Sequence, residues 1–322
     1  LNTLLVFFAV TSDNVTIGQS YGSVHKNAPF VLQGMYGNMS IIMLLMSTAF
    51  MQGAALRDFN NNTHQIIFST PLRKFPYLMG RYLGACIIAL IPLLGVTLAG
   101  ILGSFAPWVA PEQLGPLNLS GDLWGMLLFG IPNTLLIGAI IFGIATLTRS
   151  TIGSFIGALG VLVGYGIAVS QTSDLDSEYI AMLVDPFGLS TFQIITKYWT
   201  VAEKNTMALG AHPMMLLNRA IWLGAGALIW FLTYTRFSFT LRNKKKKKQA
   251  DTAEEVASTT SVALPKVALQ QGFGVYFRQM LSQARLDFMG VIKGAPFLVI
   301  LLFGILNMTP GIASVNGGYG LD

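Results

Sequence analysis

The sequence predicts an all-α polytopic membrane protein, a six-helix bundle followed by the start of a second repeat. Three observations carry that prediction. Of the 322 residues 53% are apolar and only 11% are charged, against about 25% charged in an ordinary soluble domain. Uncharged stretches long enough to cross a bilayer separate the charges. The lysines and arginines, finally, fall on alternate connections. With a mean hydropathy of +0.60, a water-soluble globular domain, a disordered chain and a collagen-like chain are excluded.

A spanning helix needs about 20 predominantly apolar residues. Leu1–Val10 is too short and reads as the tail of a truncated first helix; the start at Leu1 and the end at Asp322 mark the chain as a fragment of a longer one. Residues 27–56 carry no charge and predict a helix over Phe30–Leu56. The uncharged stretches 82–111, 123–148 and 150–173 predict helices over Tyr82–Ser104, Leu123–Leu147 and Thr151–Ser170. Further spans are expected at Met214–Phe237 and Ala295–Val315.

Basic residues set orientation, because Lys and Arg accumulate on cytosolic loops. Arg57, Arg73, Lys74 and Arg81 lie on one connection, Arg149 on the next but one, and Arg236, Arg242, Lys244–Lys248, Lys266, Arg278, Arg285 and Lys293 after the span at 214–237. The alternate connections hold only Lys26, Lys197 and Lys204, with Arg219 near a helix end. Segments 57–81 and 243–272 are therefore expected in the cytosol, and 11–29, 105–122 and 172–213 outside. The net charge of +6 is an orientation signal; it lacks the basic face interleaved with aromatics that nucleic-acid binding uses.

Residues 1–242 form a first unit, the truncated helix 1 plus helices 2–6. Residues 243–272, low in aromatics and rich in Ala, Ser, Thr and charge, read as a disordered cytosolic linker. Its lysine run either flanks the span as a stop-transfer signal or sits on anionic headgroups at about 1 kcal/mol per residue. Residues 273–322 read as an interfacial helix, with Phe277, Leu281, Ala284, Phe288 and Val291 on one stripe and Arg278, Ser282 and Arg285 opposite, leading into the first span of a second unit. The segment 302–320 echoes 4–22 in layout, an apolar helix end, a Thr-containing break and a small-residue loop closing in Tyr-Gly, as a parallel repeat would.

No catalytic constellation and no metal site is visible. A single cysteine, Cys86, allows no disulfide framework. Neither a phosphate-binding Gly-x-x-x-x-Gly-Lys-Ser/Thr nor a His-Glu-x-x-His occurs, so the chain binds no cofactor by these motifs and is not read as an enzyme. Arg219, an ionisable residue inside a span, is a functional candidate by default, but its place near the helix end suits snorkelling to the outer interface. Tyr198 and Trp199 suit that same interface. Gly153/Gly157 and Gly160/Gly164 form two small-x-x-x-small pairs expected to pack a neighbouring helix closely. Met35, Met39, Met43 and Met46 follow helical spacing and read as packing or as an apolar path.

The segment Arg57–Arg81 is too polar to span and too apolar for plain loop. Asn60–Thr63 can end one helix and cap another, and Thr70-Pro71 reads as an N-cap followed by proline at N1. A short helix carrying Ile66, Ile67 and Phe68 is expected to lie across the cytosolic face, beside Arg73 and Lys74, suited to docking in a partner's groove.

In this segment Arg57-Asp58, Phe68-Ser69-Thr70-Pro71-Leu72-Arg73-Lys74 and Tyr77–Ala85 resemble the coupling region of type-2 ABC exporter permeases. ATLTRS (145–150), VDPFG (184–188), TKYWTVAEKNT (196–206), LNR (217–219) and WLGAG (222–226) resemble a bacterial subgroup that fuses two six-helix permease halves to a zinc aminopeptidase-like domain. The resemblance implies a multi-pass inner-membrane permease in the lipid bilayer. It implies a separate ABC ATPase subunit that binds ATP-Mg, and a second permease half, from the same chain or a homodimer partner. Arg57, Asp58, Ile66, Phe68, Thr70, Pro71, Arg73 and Lys74 would contact the ATPase. The alternative it leaves open is the membrane anchor of a zinc aminopeptidase encoded downstream.

Overall fold

The computed structural model describes residues 2–11, 24–171 and 178–239, with separate positions between 274 and 289; among these the regular elements are helices and no strand occurs. Contacts divide the chain into two units, Leu1–Phe237 and Ser238–Asp322. Among the described residues, four helical stretches of the first unit are long and apolar enough to cross a membrane, or five if a bent pair is one span. Such helices are compatible with a membrane protein. The span expected at Ala295–Val315, the linker 243–272 and the echo at 302–320 lie outside the described residues. Of the expected interfacial helix, Arg278, Ser282 and Arg285 are helical and exposed.

α1 (Asn2–Thr11) precedes the bent pair α2 (Pro29–Ile42) and α3 (Leu44–Asn60), which meet at 52° where one helix was expected. Neither Pro nor Gly sits at the break. Ser40 Oγ donates to Gly37 O and accepts from Asn133 Nδ2, and Thr48 Oγ1 donates to Leu44 O; hydroxyls that bond back to the helix's own carbonyls bend it. α4 (His64–Phe68) is a single short helix. α5 (Lys74–Leu90) passes through a 3₁₀ turn at Ile91–Leu93, where Pro92 interrupts the ladder, into α6 (Leu94–Ser104). This stretch begins eight residues before the expected Tyr82, because Arg81 is neutralised by a carboxylate of α3 instead of ending the helix.

α7 (Ser120–Gly125) widens into a π-helical stretch, Met126–Gly130, and continues as α8 (Ile131–Thr148). This central span is 72% buried, against 17% for α9 (Thr151–Gln171) and 22% for α13 (Pro213–Arg236). α8 is mostly apolar and largely enclosed, with Asn133, Thr134 and Thr146 buried among its apolar residues, and touches α3, α5, α9 and α13. Small residues let α13 approach: a Cβ on Gly143 would lie 2.6 Å from Thr233 Oγ1. α9 and α13 start and stop within one residue of their expected bounds. α10 (Glu178–Val184), α11 (Leu189–Ile195) and α12 (Val201–Thr206) form a short-helix cap between them.

The helix ends sort into two groups. α3 ends, α5 begins, α8 ends, α9 begins and α13 ends at one pole, joined by Lys74 Nζ donating to Thr235 O at 3.3 Å and by Arg149 over the Phe59 ring at 4.5 Å. The other pole gathers the start of α2, the end of α6, the start of α7 and α10–α12; His25 N donates to Asn205 Oδ1 at 2.8 Å, and Lys26 N to Gln113 O at 2.9 Å. Arg57, Arg73, Lys74, Arg81, Arg149 and Arg236 lie at the first pole, where Asp58 is the acidic residue among those described. The loops that were expected to share a side of the membrane thus converge in space.

Candidate functional site

The basic pole is built on Asp58. A carboxylate this buried (3% exposed) needs donors to offset lost hydration. Arg81 supplies a forked pair, Nη2 to Oδ1 at 2.7 Å and to Oδ2 at 2.6 Å, and Tyr77 donates its hydroxyl to Oδ2 at 2.8 Å. Arg81 Nη1 also donates to Ala54 O at 2.8 Å, and its guanidinium lies 4.6 Å from the Tyr77 ring centroid. The geometry ties the end of α3 to the start of α5.

Between them the chain reverses sharply. Asn62 takes the left-handed conformation at φ 55°, which asparagine tolerates better than most residues. Thr63 N donates to Asp58 O at 2.9 Å. α4 follows, and Phe68 pins it inward, with edge-on ring contacts to Phe59, Tyr77 and Phe237 at centroid distances of 5.7, 6.0 and 6.4 Å. Ile66 points the other way and is 71% exposed. Arg57, Thr70, Pro71 and Arg73 are also exposed, as are Leu72 and Phe75, the latter against the rings of Trp230 and Tyr234. The result is an exposed apolar residue on an anchored short helix, with Arg57 and Arg81 lining the hollow beside it.

Several expectations change here. Thr70 does not cap the following helix: its Oγ1 donates to Ile67 O at 2.6 Å, and Ser69 Oγ to Ile66 O at 2.7 Å, so both close the C-terminal end of α4, while Arg73 is the residue that precedes α5. Asp58 is sequestered, Phe68 faces inward, and Lys74 is engaged with Thr235 O and the Tyr234 ring, 4.7 Å from its centroid. Asp58 is thus buried, while Phe68 and Lys74 are half-buried and held by these contacts. Arg81, Tyr77 and Phe237 went unrecognised as the scaffold of α4; the Asp58–Arg81 pair spans 23 residues and has no local signature.

At the opposite pole Arg219 does not snorkel. It is 4% exposed, because its fork finds oxygen atoms inside. Nη1 donates to Asn133 Oδ1 at 2.8 Å, to Phe187 O at 3.2 Å and to Leu128 O at 3.4 Å; Nη2 donates to Pro186 O at 3.3 Å and to Asn218 Oδ1. Leu128 lies in the π-helical stretch that precedes α8. Asp185, whose carboxylate accepts from Phe187 N at 2.8 Å and Ser190 N at 2.6 Å, contributes a nearby negative charge to this cage. Gly188, at φ 76°, lies where any Cβ would collide with the guanidinium. The VDPFG and LNR segments thus meet around one buried cation.

The glycine pairs divide. A Cβ on Gly157 would clash with Ile144 of α8, and one on Gly153 would lie 3.2 Å from Thr148 Oγ1, whereas Gly160 and Gly164 have nothing within 4 Å among the described residues. The second pair therefore packs no described helix. At the outer segment Tyr198 is 83% exposed, while Trp199 turns inward to the Phe30 ring at 6.2 Å. Comparisons with protein-family models, curated proteins and solved structures give no match for this chain.

Proposed function

We propose that this chain is a permease half of an ATP-driven transporter, most similar in design to type-2 ABC exporters, and that α4 is its coupling helix. One observation carries the reading. At the pole where the basic loops converge, α4 presents exposed Ile66 beside Arg57 on a base tied by Asp58, Tyr77, Arg81 and Phe68. A knob that transmits force must be exposed at its tip and anchored at its root; the exposure of Ile66 and the ring contacts of Phe68 support that reading. Long apolar helices supply the membrane part. The energy comes from a separate ABC ATPase that binds ATP-Mg, since the chain has no phosphate-binding loop of its own. A second six-helix half, covalent or in a homodimer, completes the pathway, and movement of the ATPases rocks α3 and α5 through α4. In a bacterium the basic pole then faces the cytosol and the α10–α12 cap faces outward.

The test is reconstitution with the cognate ATPase. Ile66→Asp and Arg73→Glu should abolish co-purification and transporter-stimulated ATP turnover while leaving the melting temperature unchanged, because both side chains are exposed. Unchanged binding and turnover in both variants would refute the reading.

A further inference from the structure

α7 presses on α2 because two glycines, one helical turn apart, face it. A Cβ on Gly125 would lie 2.7 Å from Tyr36 Cδ2, and one on Gly121 would collide with the Pro29 backbone. Asp122 follows Gly121, and the close approach encloses it, leaving it 6% exposed. Both carboxyl oxygens are shut off from solvent and neither has a hydrogen-bond partner among the described residues. Although Asp122 lies in the first turn of α7, it accepts no backbone N–H there. The hydroxyls of Tyr36 from α2 and Thr97 from α6 come next to it, hydrogen-bonded to each other at 2.7 Å. Directly after Gly125 the helix widens into the π-helical stretch Met126–Gly130, a distortion that recurs at functional sites.

The other two buried carboxylates among the described residues are treated differently. Asp58 takes the fork of Arg81 and the Tyr77 hydroxyl, and Asp185 takes two backbone N–H groups. The elements around Asp122 supply no such donors: α2, α6 and the Met126–Gly130 stretch contain no Lys, Arg or His, and Tyr36 is the titratable side chain that faces it. One hydroxyl hydrogen of the Tyr36–Thr97 pair is already used within the pair. A carboxylate enclosed in this way loses its hydration without gaining a counter-charge, a cost that a bound proton removes. A hydroxyl oxygen can also accept a hydrogen bond from the resulting carboxylic acid.

We propose that Asp122 is a proton-binding site: with α2, α6 and α7 packed as they are here its carboxyl holds a proton, and separation of α7 from α2 releases it. On release the carboxyl O–H bond breaks, its electron pair stays on the oxygen and the proton passes to water, which then solvates the carboxylate. The site lies at the pole opposite α4, so closure of that end of the helix bundle takes up one proton and opening gives it back. The proposal stands on the packing of α7 against α2 and does not depend on the permease reading.

The test is infrared spectroscopy of the full chain at neutral pH in dodecyl maltoside micelles, a detergent that has no carbonyl group. An ordinary carboxyl is ionised under these conditions. The native chain should show the carbonyl stretch of a protonated carboxyl, equivalent to one group per chain. Asp122→Asn should lose that band and Asp122→Glu should move it. Gly125→Leu, which wedges α7 from α2, should lose it with Asp122 still in place. A native chain without the band, a band unchanged in Asp122→Asn, or a band retained in folded Gly125→Leu would overturn the proposal. The first of these outcomes needs no variant, so it decides even if the substituted chains fail to fold.

Discussion

Arg81 and Arg219 are both drawn into helix packing, yet one meets a carboxylate and the other meets amides and carbonyls. Arg81 forks onto Asp58 and keeps 22% of its side chain exposed, so water shares the task of solvating it. Arg219 is almost wholly enclosed and is solvated by Asn133, Asn218 and three backbone oxygens, with Asp185 contributing at a distance. The basic pole thus uses a charge pair to brace a surface that stays open. The opposite pole uses a dipole cage to join the α10–α11 turn to α8 and α13. A pair can be broken and partly rehydrated; a cage that loses its cation leaves its whole lining unsatisfied.

That difference orders the expected effects. The largest belongs to Arg219→Leu, which strands several buried oxygens and should cost about 3–5 kcal/mol; Arg219→Lys should fall between, since an ammonium cannot reproduce the fork. Thermal melting of the purified variants ranks them, and a loss for Arg219→Leu no greater than at Asp58 would break the comparison. Asp58→Ala comes next, at about 1.5–3 kcal/mol, with Asp58→Asn milder because it still accepts from Tyr77 and Arg81. Thr200→Ala should cost about 1 kcal/mol by removing an N-cap.

The cap also carries a pH signature. Hydrogen bonds from the Thr200 backbone and side chain hold the Glu203 carboxyl below its usual range. A lowered folded pKa means the contribution is complete above the unfolded value of about 4.3 and is lost as pH falls through the folded one. The gap in melting temperature between native and Glu203→Gln chains should therefore narrow in acid and be constant near neutrality. The smallest effect is Gly160→Ala, whose methyl meets no described atom within 4 Å and should stabilise α9 by up to about 1 kcal/mol; Gly157→Ala, pressed on Ile144, should destabilise by contrast.

These sites were unequally legible in the sequence. α9 could be bounded to a residue because no charge lies between Arg149 and Asp174, and α13 because Pro213 and Arg236 mark its ends even though Arg219 interrupts its apolar run. The start of α5 could not, since a charge-free criterion stops at Arg81 and the carboxylate that neutralises it belongs to α3. Thr70-Pro71 has the pattern of a helix start, but Ser69 and Thr70 spend their hydroxyls on the carbonyls of α4, so the following helix begins at Lys74 instead. Arg219 was misplaced for a related reason: position along a helix suggests snorkelling, and only the fold shows that Leu128 O and Asn133 Oδ1 stand beside its guanidinium. The short helix at Ile66–Phe68 was legible from composition, whereas which of its faces is free was not; Phe68 is captured by Tyr77 and Phe237, and Ile66 is left outward.

The central claim, that α4 is a partner-facing knob at the cytosolic pole, is tested most directly by thiol labelling. Cys86 is the single native cysteine and is buried, so Ile66→Cys gives one reactive site. A membrane-impermeant maleimide should label Ile66→Cys in inside-out vesicles, should fail to do so in right-side-out vesicles, and should be blocked when the cognate ATPase is bound. Labelling from the outer side, or labelling in inside-out vesicles that the ATPase does not suppress, would contradict the account.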